Sequence, residues 1–98
     1  MALNTEAEQI IKELTEFKHE IKRMDLKVHE FISDREKYRN PYPEGLADKI
    51  RKYERQVYRS PSNEVRLHLD NLLSSLLSYE RSWKQLFQVD AERGRDRR

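Results

Sequence analysis

Leu3, Ala7, Ile10, Leu14, Phe17, Ile21, Met24, Val28 and Phe31 follow one another at alternating steps of four and three residues. That spacing places every apolar side chain on one narrow stripe of an α-helix, and it continues in register through Arg35 to Tyr38. Thr5 followed by Glu8 offers a capping box at the start, so the pattern predicts a first helix over about residues 5–38. At 1.5 Å per residue such a helix is roughly 50 Å long, too long to sit inside a sphere of this mass. It has to protrude or lie against something of similar length.

Breakers divide the rest of the chain. Asn40, Pro41, Tyr42 and Pro43 end the first stripe, because proline inside a helix loses a backbone hydrogen bond and clashes with the preceding turn. Leu46, Ile50, Tyr53 and Val57 then predict a short helix over about 43–58 with one buried face. Arg59, Ser60, Pro61 and Ser62 form the next break, with Ser60 as expected N-cap and Pro61 in the first helical position. Val65, Leu69, Leu72, Leu76, Tyr79, Trp83 and Leu86 repeat the four-three spacing in a third helix over about 61–93. Leu73, Leu77 and Phe87 widen its stripe, so this helix can touch two neighbours. Ser74, Ser75, Ser78 and Ser82 flank the stripe, either allowing close helix approach or simply facing water.

Charged residues make up 39% of the 98 and the hydrophobic set 36%, which suits a narrow seam between long helices better than a thick core. The expected fold is all-α: an elongated, coiled-coil-like antiparallel hairpin of the first and third helices with the short helix lying across the turn. The alternative is a three-helix bundle. Residues 1–94 form the single expected domain, and 95–98 a disordered basic tail. The absence of cysteine excludes disulfides, thiolate metal sites and cysteine nucleophiles. No signal-peptide pattern or membrane-spanning apolar run occurs, so the cytoplasm is the expected location.

Phe31, the Arg/Pro-rich break after it, and then Asn63, Leu69, Asn71, Leu72, Tyr79, Trp83, Glu92 and Gly94 are spaced in a way that resembles a bacterial helical domain family of unassigned function, often found at the C-terminal end of longer proteins. The resemblance covers about residues 24–94, and Leu73, Leu76 and Leu77 stand where that family has more polar residues. It implies a helical fold and supplies no activity.

Catalytic and cofactor motifs are incomplete. His19–Glu20 and His29–Glu30 each open the zinc-protease pattern H-E-x-x-H, but Arg23 and Ser33 occupy the places of the second histidine. Glu16 and His19 make one Glu-x-x-His, whereas a di-iron bundle needs two, and Leu26 stands where His29 needs its glutamate. Gly45 and Gly94 lie too far apart for a phosphate-cradling loop, and no serine sits on a strand-to-helix elbow. Neither a metal, a cofactor nor an enzymatic activity is expected, and the histidines read as exposed helix residues. Trp83, Tyr79 and Phe17 fall on the seam and read as core.

Charge is uneven along the chain. Residues 1–34 hold eight acidic against five basic side chains, and residues 35–66 nine basic against five acidic. Arg51, Lys52, Arg55 and Arg59 are the candidate partner-binding residues, near Tyr53 and Tyr58; Tyr38 and Tyr42 bracket Arg39 in a similar mixture. Arg55 has only Arg51, Lys52, Tyr58 and Arg59 one turn away, so an acid must come from elsewhere. The expected source is the acidic first helix, through Asp25, Glu30 or Asp34. Leu3, Ile10, Leu14 and Phe17 are the candidate oligomer interface, a stretch of seam left without a mate once the third helix is placed. The functional expectation is a protein-interaction or assembly module that self-associates, most simply as a homodimer, or binds another helical protein. The alternative is a small nucleic-acid-binding protein that uses the basic middle.

Overall fold

The computed structural model describes residues 5–96, and all regular structure among them is helical: α1 over Thr5–Ser33, α2 over Pro43–Val57 and α3 over Asn63–Asp96. The fold is all-α, as the periodicities require. Leu3 and residues 97–98, half of the expected tail, lie outside the described residues; Arg95 and Asp96 belong to α3, which runs on past Gly94.

Two further boundaries differ from expectation, each because a polar side chain captures backbone amides. α1 stops at Ser33 instead of Tyr38, since Asp34 Oδ1 accepts the amides of Glu36 and Lys37 at 3.2 and 3.1 Å. The Tyr38 N–H then donates to the Asp34 carbonyl at 3.1 Å, closing a separate turn. An aspartate that caps the next turn cannot also continue the previous helix. At the start of α3 the cap is Ser62 instead of Ser60: its Oγ accepts the Val65 amide at 3.3 Å and its carbonyl the Arg66 amide at 3.2 Å. Ser60 Oγ accepts the Ser62 amide at 3.4 Å and organises the loop.

Between α1 and α2 the chain turns at Tyr42, which holds the left-handed conformation with φ 50° and ψ 67°. Asn40 Oδ1 fixes it by accepting the Tyr42 amide at 2.9 Å. Left-handed backbone costs a side-chain-bearing residue about 1 kcal/mol. Pro43 follows as a helix-opening residue and is itself buried.

The direction of the helices corrects the expected hairpin. Trp83 meets Asp25, Phe87 meets Phe31 and Asp90 meets Arg35. Partner numbers rise together, so α1 and α3 run side by side in the same direction, not antiparallel. In α2 the numbers run the other way, with Tyr53 against Glu13 and Lys49 against Glu20. Two chain reversals, at 34–42 and 58–62, return α3 to the heading of α1. The second helix does not cross a turn; it lies lengthwise against both, in a body of 63 × 20 × 16 Å.

The shared core follows the predicted stripes. Leu14, Ile21 and Val28 from α1, Ala47 and Ile50 from α2, and Leu69, Leu72, Leu76 and Trp83 from α3 form one buried cluster. Each fully buried large aliphatic contributes about 1.5–3 kcal/mol, and these side chains carry the fold. Ser75 is half-buried beside Lys18, Ile21 and Lys22 of α1, while Ser74, Ser78 and Ser82 are exposed.

Candidate interaction surface

The apolar stripe at the start of α1 is covered from within the chain. Leu14 is 1% exposed and Phe17 8%, and Ile10 is half-buried against the same core. Phe17 packs against the Tyr53 ring at 5.2 Å, and Lys49 Nζ sits 5.6 Å from the centre of the Phe17 ring. The expected oligomer seam at Ile10, Leu14 and Phe17 is therefore an intramolecular contact, because α2 folds back along this part of α1. Sequence spacing alone could not reveal that a short helix would run back along α1.

Polar contacts knit the three helices at their edges. Trp83 Nε1 donates to Asp25 Oδ1 at 2.9 Å, and His29 Nε2 approaches the same oxygen at 3.5 Å. The Tyr53 hydroxyl donates to Glu13, and burial first, then this hydrogen bond and the glutamate charge, push the phenol well above the ordinary tyrosine range. Arg35 pairs with Asp90 while its guanidinium lies 5.4 Å over Phe31.

The four candidate cations, Arg51, Lys52 and Arg55 on α2 and Arg59 just beyond its end, divide. Arg51 grips Glu80 of α3 with both terminal nitrogens, one of the contacts measuring 3.2 Å. That hydrogen bond outweighs desolvation and raises the arginine pKa above its usual value, so its charge is committed inside the fold. Lys52, Arg55 and Arg59 are exposed and make no ion pair or hydrogen bond with any described residue. The acid expected for Arg55 from α1 is not there: Asp25 is turned to Trp83, and Glu30 is exposed and makes no ion pair with Arg55. Asp34 is used as a cap. Only the short reach of side chains across α2, invisible in sequence, decides that Arg51 is paired and Arg55 is free.

The seam between α2 and α3 is open on its outer side. Leu77 is 52% exposed at its middle, on the edge of an open groove of about 520 Å³ floored by Trp83 and Phe87 and walled by Pro43. Towards the other end a second groove of about 750 Å³ holds Leu69 and Leu73 beside Tyr58, which is 66% exposed. Arg66, Asp70, Arg81 and Lys84 border these grooves, exposed and without a partner among the described residues. The widened stripe of α3 was visible as Leu73, Leu77 and Phe87, and α3 does meet two neighbours, α1 and α2; that Leu77 stays half-open beside the second was not visible.

Among the described residues no three His, Asp or Glu side chains converge to hold a metal ion, and no helix is long and apolar enough to cross a membrane. The chain matches no family model, no curated protein and no solved structure.

Proposed function

We propose that this chain is a cytoplasmic protein-interaction or assembly module that works through coiled-coil-type helical contacts along the α2–α3 seam, with self-association as its principal mode. The supporting observation is Leu77, a leucine half-open to water between a mainly apolar groove and a more polar one, on a helix whose stripe of Val65, Leu69, Leu72, Leu76 and Trp83 is buried within the chain. An apolar strip rimmed by unpaired charges of both signs gains by covering itself with another helix, and the charges supply orientation. No chemistry is required of such a module. Sedimentation equilibrium at micromolar to tenths-of-millimolar protein tests the reading. A mass above 12.0 kDa that returns to it in Leu77→Asp supports it; association untouched by that change counts against the seam.

A second reading has its own observation. Lys52 and Arg55 on α2 and Arg59 just beyond its end follow one another at three and four residues, all exposed and unpaired among the described residues, with Tyr58 exposed beside them. Three phosphate contacts to duplex DNA give a log–log salt slope of roughly −2.7. Fluorescence anisotropy with labelled duplex and single-stranded DNA and RNA decides it. The interaction reading expects weak binding that removal of the three cations barely changes, because Asp48, Glu54 and Glu64 interrupt the patch.

A further inference from the structure

The outward face of α3 is self-complementary about Leu77. At 100° per residue Arg66, Asp70, Leu73, Leu77, Arg81 and Lys84 fall within an arc of about 80° centred on Leu77. This arc lies beside the buried stripe of Leu69, Leu72, Leu76 and Trp83, whose centre is about 110° round the helix, and five of its six side chains are exposed, Leu73 being the half-buried one. Asp70 and Lys84 stand seven residues to either side of Leu77, about 10.5 Å along the axis in opposite directions. A second α3 laid antiparallel, with Leu77 on the two-fold axis, therefore sets Asp70 of one copy at the height of Lys84 of the other. The two-fold repeats the contact. Arg81 comes within a turn of the same carboxylate, and its aliphatic stem lies over Leu73. A parallel arrangement sets Asp70 against Asp70 and Arg81 against Arg81, which repel.

We infer that the α2–α3 seam is an isologous dimer interface in which two α3 helices pack antiparallel about Leu77, held in register by reciprocal Asp70–Lys84 ion pairs. The inference rests on the interaction reading above and names its partner as a second copy of this chain. None of these four ionic groups is used inside the fold, so pairing them between copies breaks nothing. The apolar part of the face is small, and the dimer is accordingly weak and reversible, with a dissociation constant on the order of 10⁻⁵ M.

Charge exchange and a symmetric cross-link test it on the whole chain. Asp70→Lys and Lys84→Asp should each keep wild-type circular dichroism but weaken dimerisation at least about tenfold, since each replaces two attractions with two repulsions. Mixing the two single variants, or combining both changes in one chain, should restore association. The chain lacks cysteine, so Leu77→Cys places a lone thiol on the proposed axis, and mild oxidation should give a disulfide-linked dimer. Gln85→Cys, about 24 Å from its own copy in this arrangement, should not cross-link. Dimers that ignore both charge changes and fail to cross-link through residue 77 overturn this geometry while leaving the interaction reading standing. A strictly monomeric wild type at every concentration overturns this inference and the self-association mode together. A helix from another protein that binds the seam of such a monomer would save only the broader reading.

Discussion

Trp83 and Asp25 are 58 positions apart in the chain and joined by a 2.9 Å hydrogen bond from the indole N–H to the carboxylate. The bond sits at the edge of the core, where Trp83 is 3% exposed, and it exists only because α1 and α3 run in the same direction. Replacing Asp25 by Ala leaves an indole donor without its acceptor and should cost about 1–3 kcal/mol, whereas Asp25→Asn keeps an acceptor and should lose less. Urea unfolding followed by the fluorescence of the single tryptophan measures both. Equal losses in the two variants would mean that this hydrogen bond is not what Asp25 contributes.

Leu14 provides a second test, because the sequence and the structure give it different surroundings. On an open seam, Leu14→Glu dissociates an oligomer and leaves the fold intact. In a core where the side chain is 1% exposed, the buried carboxylate costs several kcal/mol, comparable to the whole stability of a small domain. Circular dichroism of Leu14→Glu should show loss of most helix at room temperature. A folded variant of lower mass would restore the open seam.

Helix number, the proline breaks and nearly all of the core were legible in the sequence, because apolar spacing reports which face of a helix is dry. Ile21, Val28, Leu69, Leu72, Leu76 and Trp83 all read as seam and all are buried. Direction was not legible: a heptad stripe looks the same to a parallel and an antiparallel neighbour, and only the two reversals around α2 choose between them. Asp34 was counted as part of the acidic excess, although its use as a cap ends α1 five residues early. Of the basic middle, the sequence located the cations and the structure divided them, pairing Arg51 with Glu80 and leaving Lys52, Arg55 and Arg59 open.

That division is measurable. Arg51→Ala removes a two-pronged, partly exposed contact between α2 and α3 and should lower stability by about 1 kcal/mol after allowance for solvent screening. Arg55→Ala removes nothing from the fold and should stay within about 0.5 kcal/mol of wild type. Thermal or urea unfolding of the two variants side by side checks the contrast, and equal effects would contradict the separation of a structural from a surface cation.

Tyr53 predicts an alkaline dependence. Its phenol is shifted upward in the folded chain, so folding favours the protonated form. The resulting stabilisation is fully present below the unfolded value of about 10 and is lost as pH rises from there through the folded value. Tyr53→Phe removes this component, and its stability should decline less steeply than wild type on the alkaline side. Urea midpoints at a series of pH values compare the slopes; identical slopes would show that Tyr53 ionises as readily folded as unfolded.

An NMR dilution series of the wild-type protein labelled with nitrogen-15 tests the proposed α2–α3 docking surface residue by residue. Amide shifts that change with concentration should cluster on α3 from Arg66 to Gln88 and on the facing part of α2 around Arg51 to Tyr58, with the outer face of α1 silent. Changes concentrated on α1, or spectra identical across the whole concentration range, would contradict it.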